Sequence, residues 1–337
     1  MTKVLLVEPI HESGVTILRQ AGLEPVVSPS TDTDTLAELV RDDVFGIIVR
    51  TSLLAGKVLE AGKDLKIIGR HGIGYNNIDL AAADKRNIVI ANVPDANAYS
   101  VVEYVLTAIM MVSRKFLDGD KALRSGKLIQ PGASLPGLVK KFNLGGSELP
   151  GRCVGVIGLG KIGSQVAEMA ASFLRMDVLA YDPYKKEAPP GARMVSDIRE
   201  IYRSADFVTL HTPATQETEN MIDAAVLDEM KTTAILINAG RGELVDEQAL
   251  AAALKQGKIA GAVLDVFWQE PPSITNPLFS APNVLLTPHI AGATDDAVER
   301  LAIGSARAVA DYYQGKKPAN IINPQVWERL TKRSQGE

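Results

Sequence analysis

Four histidines, His11, His71, His211 and His289, and a few arginines and acids could move protons or hold anions in this 337-residue sequence. His289, in LLTPHIAG, is the leading candidate general acid–base, because imidazole titrates near neutrality and this one follows a strand-like run. Glu270, in LDVFWQEPP, could pair with a ring nitrogen of His289, orienting it and favouring imidazolium. Arg241, in INAGRGELVDE, offers a two-pronged fork for a carboxylate. A base, a carboxylate-holding cation and an oriented nicotinamide are what hydride transfer from a secondary alcohol needs. Plainer readings stand beside these: Arg241 as a helix-adjacent ion pair, Glu270 as a solvated turn residue. His211, in TLHTP, reads as a residue lining the cleft, and His11 as a loop residue.

The strongest local signal is Gly158-Leu159-Gly160-Lys161-Ile162-Gly163, between the run CVGVI and a helical pattern. The first glycine allows a tight turn and the second lets a pyrophosphate approach the backbone. The third lets helix and strand pack closely, with helix N–H groups facing the anion. Asp182 ends the next strand, LAYD, nineteen residues after Gly163. A carboxylate there can bind the adenosine ribose hydroxyls and repel a 2′-phosphate, so the expected cofactor is NAD rather than NADP.

An incomplete second turn, Gly72-Ile73-Gly74, follows LKIIGR and lacks a third glycine. Its bare amides suit a small anion such as a carboxylate, with His71 beside them, or the segment is a turn capped by Asn76 and Asn77. Arg50 ends VFGIIVR, with no acidic residue near it in RTSLLAGK, and suits a phosphate on a substrate's far carbon.

These residues need elements to hold them, and short β-branched runs alternate with helical patterns along the whole chain. KVLLVEP, EPVVSP, VFGIIVR, LKIIGR and IVIANVP form one set of strands. CVGVIGLG, DVLAYD, DFVTLHTP, AILINAG, AGAVLDVF and NVLLTPH form another. Near-continuous apolar strands separated by helices predict parallel sheets covered on both faces, hence two doubly wound α/β domains. Ser100–Gly126 reads as one long helix, with Ser100 and Glu103 as a capping box and Gly126 as its stop. The Gly- and Pro-rich stretch from Lys127 to Gly151 reads as a loop, and a last helix runs from about Asp295 to Gly315. Val101, Val105, Ala108, Met111 and Val112 predict a homodimer face on the long helix.

Composition narrows the function. Lys+Arg 36 against Asp+Glu 40 gives a net charge of −4, with 46% apolar and 23% charged residues. Nothing in that balance recruits nucleic acid or an anionic membrane. Cys153 alone excludes an internal disulfide framework and any CxxC site, and no metal site is expected. The N-terminus meets Glu8 and Pro9 before an apolar signal region could form, so a soluble, cytoplasmic protein is expected.

VGVIGLGKIG, LINAGRGELVDE, GAVLDVFWQEPP and LLTPHIAG resemble, in order, the signatures of the D-isomer-specific 2-hydroxyacid dehydrogenases. LKIIGRHGIGYNNIDLAAADKRNIVIANVPDANAYSVVEY resembles the same family's substrate-domain segment. The resemblance implies a Rossmann NAD-binding domain, 99–293, inserted into a flavodoxin-like substrate-binding domain, 1–98 plus 294–337. It implies Arg241, Glu270 and His289 as the catalytic triad. Lys161 and Ile162 would contact the pyrophosphate and Asp182 the ribose. His211, Thr212, Pro213, Ala239, Gly240, Asp265 and Gly292 would lie around the cofactor with Arg241 and His289. His71, Gly72, Ile73 and Gly74 would bind substrate with Arg241. The helix from Ser100 and the loop after it would be the arm through which the family forms homodimers.

VRTSLLAGKVLEAG resembles the phosphoglycerate dehydrogenases most, with Arg50 matching an arginine that contacts the substrate phosphate. His71 and Ile73 depart from the small and hydroxyl residues expected there. The expected activity is NAD-dependent oxidation or reduction between a D-2-hydroxy acid and its 2-oxo acid, 3-phosphoglycerate first. Glyoxylate or hydroxypyruvate reduction is the alternative, and an NAD-sensing corepressor a distant one.

Overall fold

The computed structural model describes residues 2–334. Residues up to Ala98 and from Ala293 onward form one compact unit, and Tyr99–Gly292 form the other.

The first unit begins with β1 (Thr2–Leu6), α1 (Glu12–Gln20), β2 (Leu23–Val27), α2 (Thr33–Leu39) and β3 (Val44–Val49). It continues with α3 (Gly56–Ala61), β4 (Ile67–Arg70), α4 (Leu80–Lys85) and β5 (Val89–Ala91). All five strands are parallel in the order β2-β1-β3-β4-β5, the flavodoxin-like arrangement, with its switch point between β1 and β3. One face packs on Leu36, Val40, Val58, Leu59 and Ala83 of the crossover helices and the segments beside them.

The second unit opens with α5 (Ala98–Ser113), α6 (Phe116–Arg124) and α7 (Leu135–Lys141). There follow β6 (Cys153–Ile157), α8 (Lys161–Ser172), β7 (Asp177–Tyr181), β8 (Ala192–Met194), α9 (Ile198–Ser204) and β9 (Phe207–Leu210). α10 (Ala224–Glu229), β10 (Ile235–Asn238), α11 (Glu247–Gln256), β11 (Gly261–Leu264) and β12 (Val284–Leu286) complete it. Its seven strands, all parallel, run β12-β11-β10-β9-β6-β7-β8, so the order reverses between β6 and β9. That is the Rossmann order with one strand added at the far edge. α5 and α8 cover one face, and α9, α10 and α11 the other.

The chain then returns to the first unit in α12 (Asp295–Tyr313) and α13 (Pro324–Ser334). Ala306, Val309 and Val326 seal the sheet face formed by Val4, Leu6, Ile48, Ile67 and Val89. Gly69 makes the approach possible, because a Cβ there would lie 2.7 Å from the Ser305 carbonyl oxygen.

Several sequence-based expectations change. The long helix is two helices: Lys115, at φ 53°, breaks it between α5 and α6. α5 starts at Ala98 and buries Ser100, so Ser100 is not its cap. The supposed loop contains α7, whose Leu138 packs with Ala122 and Leu128 in a small satellite core. β8 and α13 were not expected. Val101, Val105 and Ala108 are not a free face; they are spent in the core beneath α5. Among the described residues, no helix is long and apolar enough to cross a membrane.

Candidate active site

β6 ends at the switch point of the larger sheet and feeds Gly158, which adopts φ 91°, where a side chain would be strained. A Cβ at Gly163 would overlap the Gly158 carbonyl oxygen, so glycine alone lets α8 sit this close to the strand. Gly160 caps α8 with no side-chain hydrogen bond, so the helix opens with its positive end uncapped. Asp182, one residue past β7, accepts from the Leu159 N–H and the Tyr184 N–H, both at 2.8 Å. It therefore fixes the glycine turn as well as presenting a carboxylate where a ribose would lie. A bare helix start, a close-packed glycine turn and this acid together fit a dinucleotide.

His211 and Thr212, after β9, pack on the same turn; a Cβ at Gly158 would lie 2.7 Å from the His211 carbonyl carbon. Burial pushes the His211 imidazole down to about 4, and its Nε2 lies 2.9 Å from Thr209 Oγ1. It is a neutral packing histidine at physiological pH. Pro213 closes this segment by accepting from the Thr218 hydroxyl at 2.7 Å.

Beyond the switch point, β10, β11 and β12 deliver the remaining side chains. After β10, the Asn238 side chain accepts from the Gly240 N–H at 3.0 Å and donates to the Arg241 carbonyl at 2.8 Å. Arg241 Nη1 donates to the Gly240 carbonyl at 2.7 Å, fixing one prong of the guanidinium. After β11, Glu270 Oε1 accepts the Phe267 N–H at 3.1 Å, and Oε2 lies 2.7 Å from His289 Nδ1. The pair is half-exposed, at 38% and 54%. A cavity of about 570 Å³, lined largely by Phe267, Pro271, Phe279, Leu286 and Pro288, lies against it. No hydrogen bond or ion pair joins Arg241 to this pair among the described residues.

His289 itself adopts φ 57°, an uncommon conformation for a residue with a side chain. Asp265 is what holds it. The Asp265 carbonyl accepts the His289 N–H at 2.8 Å, and its fully buried carboxylate accepts the Ile290 and Ala291 N–H groups at 2.8 and 2.7 Å. Thr287 adds a third donor to that carboxylate, and the Tyr104 hydroxyl lies 2.6 Å from Thr287 Oγ1. Asp265, expected beside the cofactor, thus has its carboxylate committed to the loop that ends at Gly292.

In the first unit, Arg50 leaves β3 at that sheet's own switch point. Its Nη1 donates to the Pro9 carbonyl at 3.1 Å. RTSLLAGK holds no acid, but the fold brings one from elsewhere: Glu8, just past β1, accepts the N–H groups of Arg50, Thr51 and Ser52 at 2.9, 2.8 and 2.8 Å. Burial opposes ionisation of Glu8, yet these amides and the Ser52 hydroxyl hold its carboxyl below the ordinary range. His71 is buried, and burial, then the Arg50 cation, push its imidazole down to about 4. Its Nε2 has no hydrogen-bond partner among the described residues. The Gly72 amide, expected to be bare, is not: it donates to the Arg70 carbonyl at 2.9 Å. Ile73 is tied by its carbonyl to Asn92 Nδ2 at 2.7 Å. Any anion at this turn is left with the amides of Ile73 and Gly74.

Residues 106–291 match the profile of the D-isomer specific 2-hydroxyacid dehydrogenase NAD binding domain. The chain belongs to the D-isomer-specific 2-hydroxyacid dehydrogenase family. A D-3-phosphoglycerate dehydrogenase of Methanocaldococcus jannaschii is 37% identical over 327 residues, which are 96% of this chain and 60% of that protein. The chain thus spans about three fifths of the length of that relative. A glyoxylate reductase of Thermofilum pendens is 34% identical over 331 residues, covering 96% of this chain and 95% of that one. The crystal structure of D-lactate dehydrogenase with NAD+ from Lactobacillus jensenii aligns with a TM-score of 0.79 at 29% identity, covering 95% and 99% of the two chains.

The glycine turn joins β6 to α8, Asp182 follows β7, and Glu270 and His289 are in contact. Glu8 and Tyr104 were missed. The flavodoxin-like order expected above sets the ends of β1 and β3 side by side, and applying it to the residues after β1 would have pointed to Glu8. Tyr104 carries no local signal.

Proposed function

We propose that the chain interconverts a D-2-hydroxy acid and its 2-oxo acid with NAD, and that 3-phosphoglycerate is the preferred substrate. The 2.7 Å contact between Glu270 Oε2 and His289 Nδ1 carries this reading. With Nδ1 held by a carboxylate, Nε2 is the ring nitrogen that takes or returns the substrate's hydroxyl proton. Arg241, with one prong fixed, holds the substrate carboxylate with the other. Bound NAD would supply the hydride acceptor. Lys161 and Ile162 would meet its pyrophosphate at the start of α8, and Asp182 its ribose, which favours NAD over NADP. The unit from Tyr99 to Gly292 is the nucleotide domain in this reading, and the other the substrate domain.

Arg50 is the proposed contact for the substrate phosphate, its guanidinium bonded only to the Pro9 carbonyl among the described residues. A second reading, glyoxylate or hydroxypyruvate reduction, gains support from Glu8, whose charge beside Arg50 weakens the case for a second anion. The assembly we propose is a homodimer. Its apolar contact surface is Phe116, Leu117, Leu123, Ile129 and Leu135, which are exposed on and after α6.

A turnover screen of six 2-hydroxy and 2-oxo acids with NAD(H) tests the reading, run on the parent protein and Arg50→Ala. The substitution should cost 3-phosphoglycerate about 2–3 kcal/mol, the range for hydrogen bonds to charged groups, and leave glycerate and lactate nearly unchanged. Equal losses for all three would make Arg50 structural and put the reductase reading first.

A further inference from the structure

The loop that carries Glu270 is held at both sides by one side chain, the last residue of the LINAGRGELVDE segment, to which no role has been given above. Glu247, the first residue of α11, accepts the Trp268 N–H on Oε1 at 2.9 Å and the Asn276 Nδ2 on Oε2 at 2.7 Å. Trp268 and Asn276 bracket Glu270 in the sequence. The Asn276 Oδ1 in turn accepts the Leu278 N–H at 3.0 Å, fixing the start of the next turn. In the segment after β10, Gly242 lies so close to the Phe267 carbonyl that any Cβ there would overlap it. Phe267 is also the residue whose N–H binds Glu270 Oε1. The segment after β10 and the loop after β11 are therefore one block, locked by Gly242 at one point and by Glu247 at two. A carboxylate at a helix start is ordinarily explained by the helix dipole. Here both its oxygens are spent on another segment, so the dipole does not account for its contacts.

We infer that Glu247 is a positioning residue of the proton relay: by clamping Trp268 and Asn276 it holds Glu270 Oε2 against His289 Nδ1. This rests on the acid–base role proposed above for His289. Without the clamp, the loop loses the two contacts that tie Trp268 and Asn276 to α11, and the Glu270 carboxylate moves off the ring. Displacement of a reacting group by about 1 Å can cost up to about 100-fold in rate.

The experiment compares Glu247→Ala, Glu247→Gln and Glu270→Gln in the full chain. Glu247→Ala should lower kcat for 2-oxo acid reduction roughly 10- to 100-fold while NADH affinity stays within about twofold. Its reductive pH limb should move to lower pH, in the direction Glu270→Gln moves it, and the double variant should move no further. Glu247→Gln, which still accepts the Trp268 N–H, should recover most of the rate. NMR titration of the His289 ring reads the same displacement without turnover. A parent protein inactive on every 2-oxo acid would sink the function proposed above and leave this titration to judge the clamp. An unchanged His289 titration in Glu247→Ala would overturn the inference. So would a Gln variant as impaired as Ala with no movement of the pH limb. If Glu247→Ala does not fold, Asn276→Ala removes one contact of the two, and an unmoved titration there is equally fatal.

Discussion

At the switch point of the larger sheet, between β6 and β9, the chain leaves a close-packed glycine turn and an uncapped helix start. At that of the smaller sheet, between β1 and β3, the carboxylate of Glu8 already fills the amides of residues 50–52. Both crevices have the same topological origin, and a strand order alone would assign a ligand to each. The difference is what caps the backbone donors. In the second unit Gly160 brings no side-chain cap to α8, whereas in the first Glu8 supplies a carboxylate to three amides. Groups that could face a ligand there shift outward, to the Arg50 side chain and the turn from His71 to Gly74.

Gly163→Ala should break the contrast most severely. Its Cβ meets the rigid backbone of Gly158 rather than a yielding side chain, so the loss belongs at or above the overpacking range, about 3 kcal/mol. Urea unfolding should show the lost stability, and fluorescence titration the lost NADH binding. A stable variant that still binds NADH would mean that close packing at α8 is dispensable.

Glu8→Ala attacks the other crevice. Removing a carboxylate that accepts three backbone amides should cost about 2–3 kcal/mol. The emptied amides beside Arg50 should then respond to sulfate, so the variant should gain more stability from added sulfate than the parent does. Identical sulfate responses in denaturant titrations would show that these amides are not an anion site.

Acid should weaken the first unit through His71. Its imidazole titrates near 4 in the folded chain against 6.5 in the unfolded one, so the unfolded chain takes up more protons between those values. Its contribution is complete above pH 6.5 and declines as pH falls toward 4, reaching about 2 kcal/mol of lost stability at pH 5. His211 acts in the same direction in the second unit, and Glu8, with its depressed carboxyl, adds to the loss at still lower pH. His71→Gln should flatten the pH dependence of unfolding between 6.5 and 5. An unaltered slope would place its source elsewhere.

Asp182→Ala should have the smallest effect of the four. Loss of the ribose contact is worth about 1–1.5 kcal/mol in NAD affinity and should narrow the gap to NADP. Because the same carboxylate braces Leu159, NADP should not rise to the affinity the parent has for NAD. Binding titrations with both nucleotides decide this, and equal use of the two by the parent protein would end the preference argument.

Much of the second unit was legible because its signals are local. Gly158, Gly160 and Gly163 occupy six residues, and Glu270 and His289 each stand in a short motif directly after a strand. The first unit hid its chemistry in tertiary contacts. Glu8 meets Arg50 across 42 positions, visible only once β1 and β3 are known to be neighbours. Lys115 broke a helix whose apolar period runs on undisturbed, because one left-handed residue changes direction without changing composition. The apolar residues of α5 looked like an interface because a stripe of Val, Ala and Met reads the same whether its cover is another chain or its own sheet. Glu247 was overlooked since an acid at a helix start is unremarkable until its partners are seen.

The first unit takes its strands from the start of the chain and part of its cover from the end. During synthesis, the sheet ending at Ala91 must wait for α12, beginning at Asp295, before Val4, Leu6, Ile48, Ile67 and Val89 are sealed. At roughly 5–20 residues per second, that interval is on the order of 10–40 s. The intervening unit is continuous and can close within that time, while an apolar sheet face stays open beside it. A ribosome-bound chain of this protein therefore presents its greatest hazard of sticking while the intervening unit is being made, and α12 and α13 are the helices that end it.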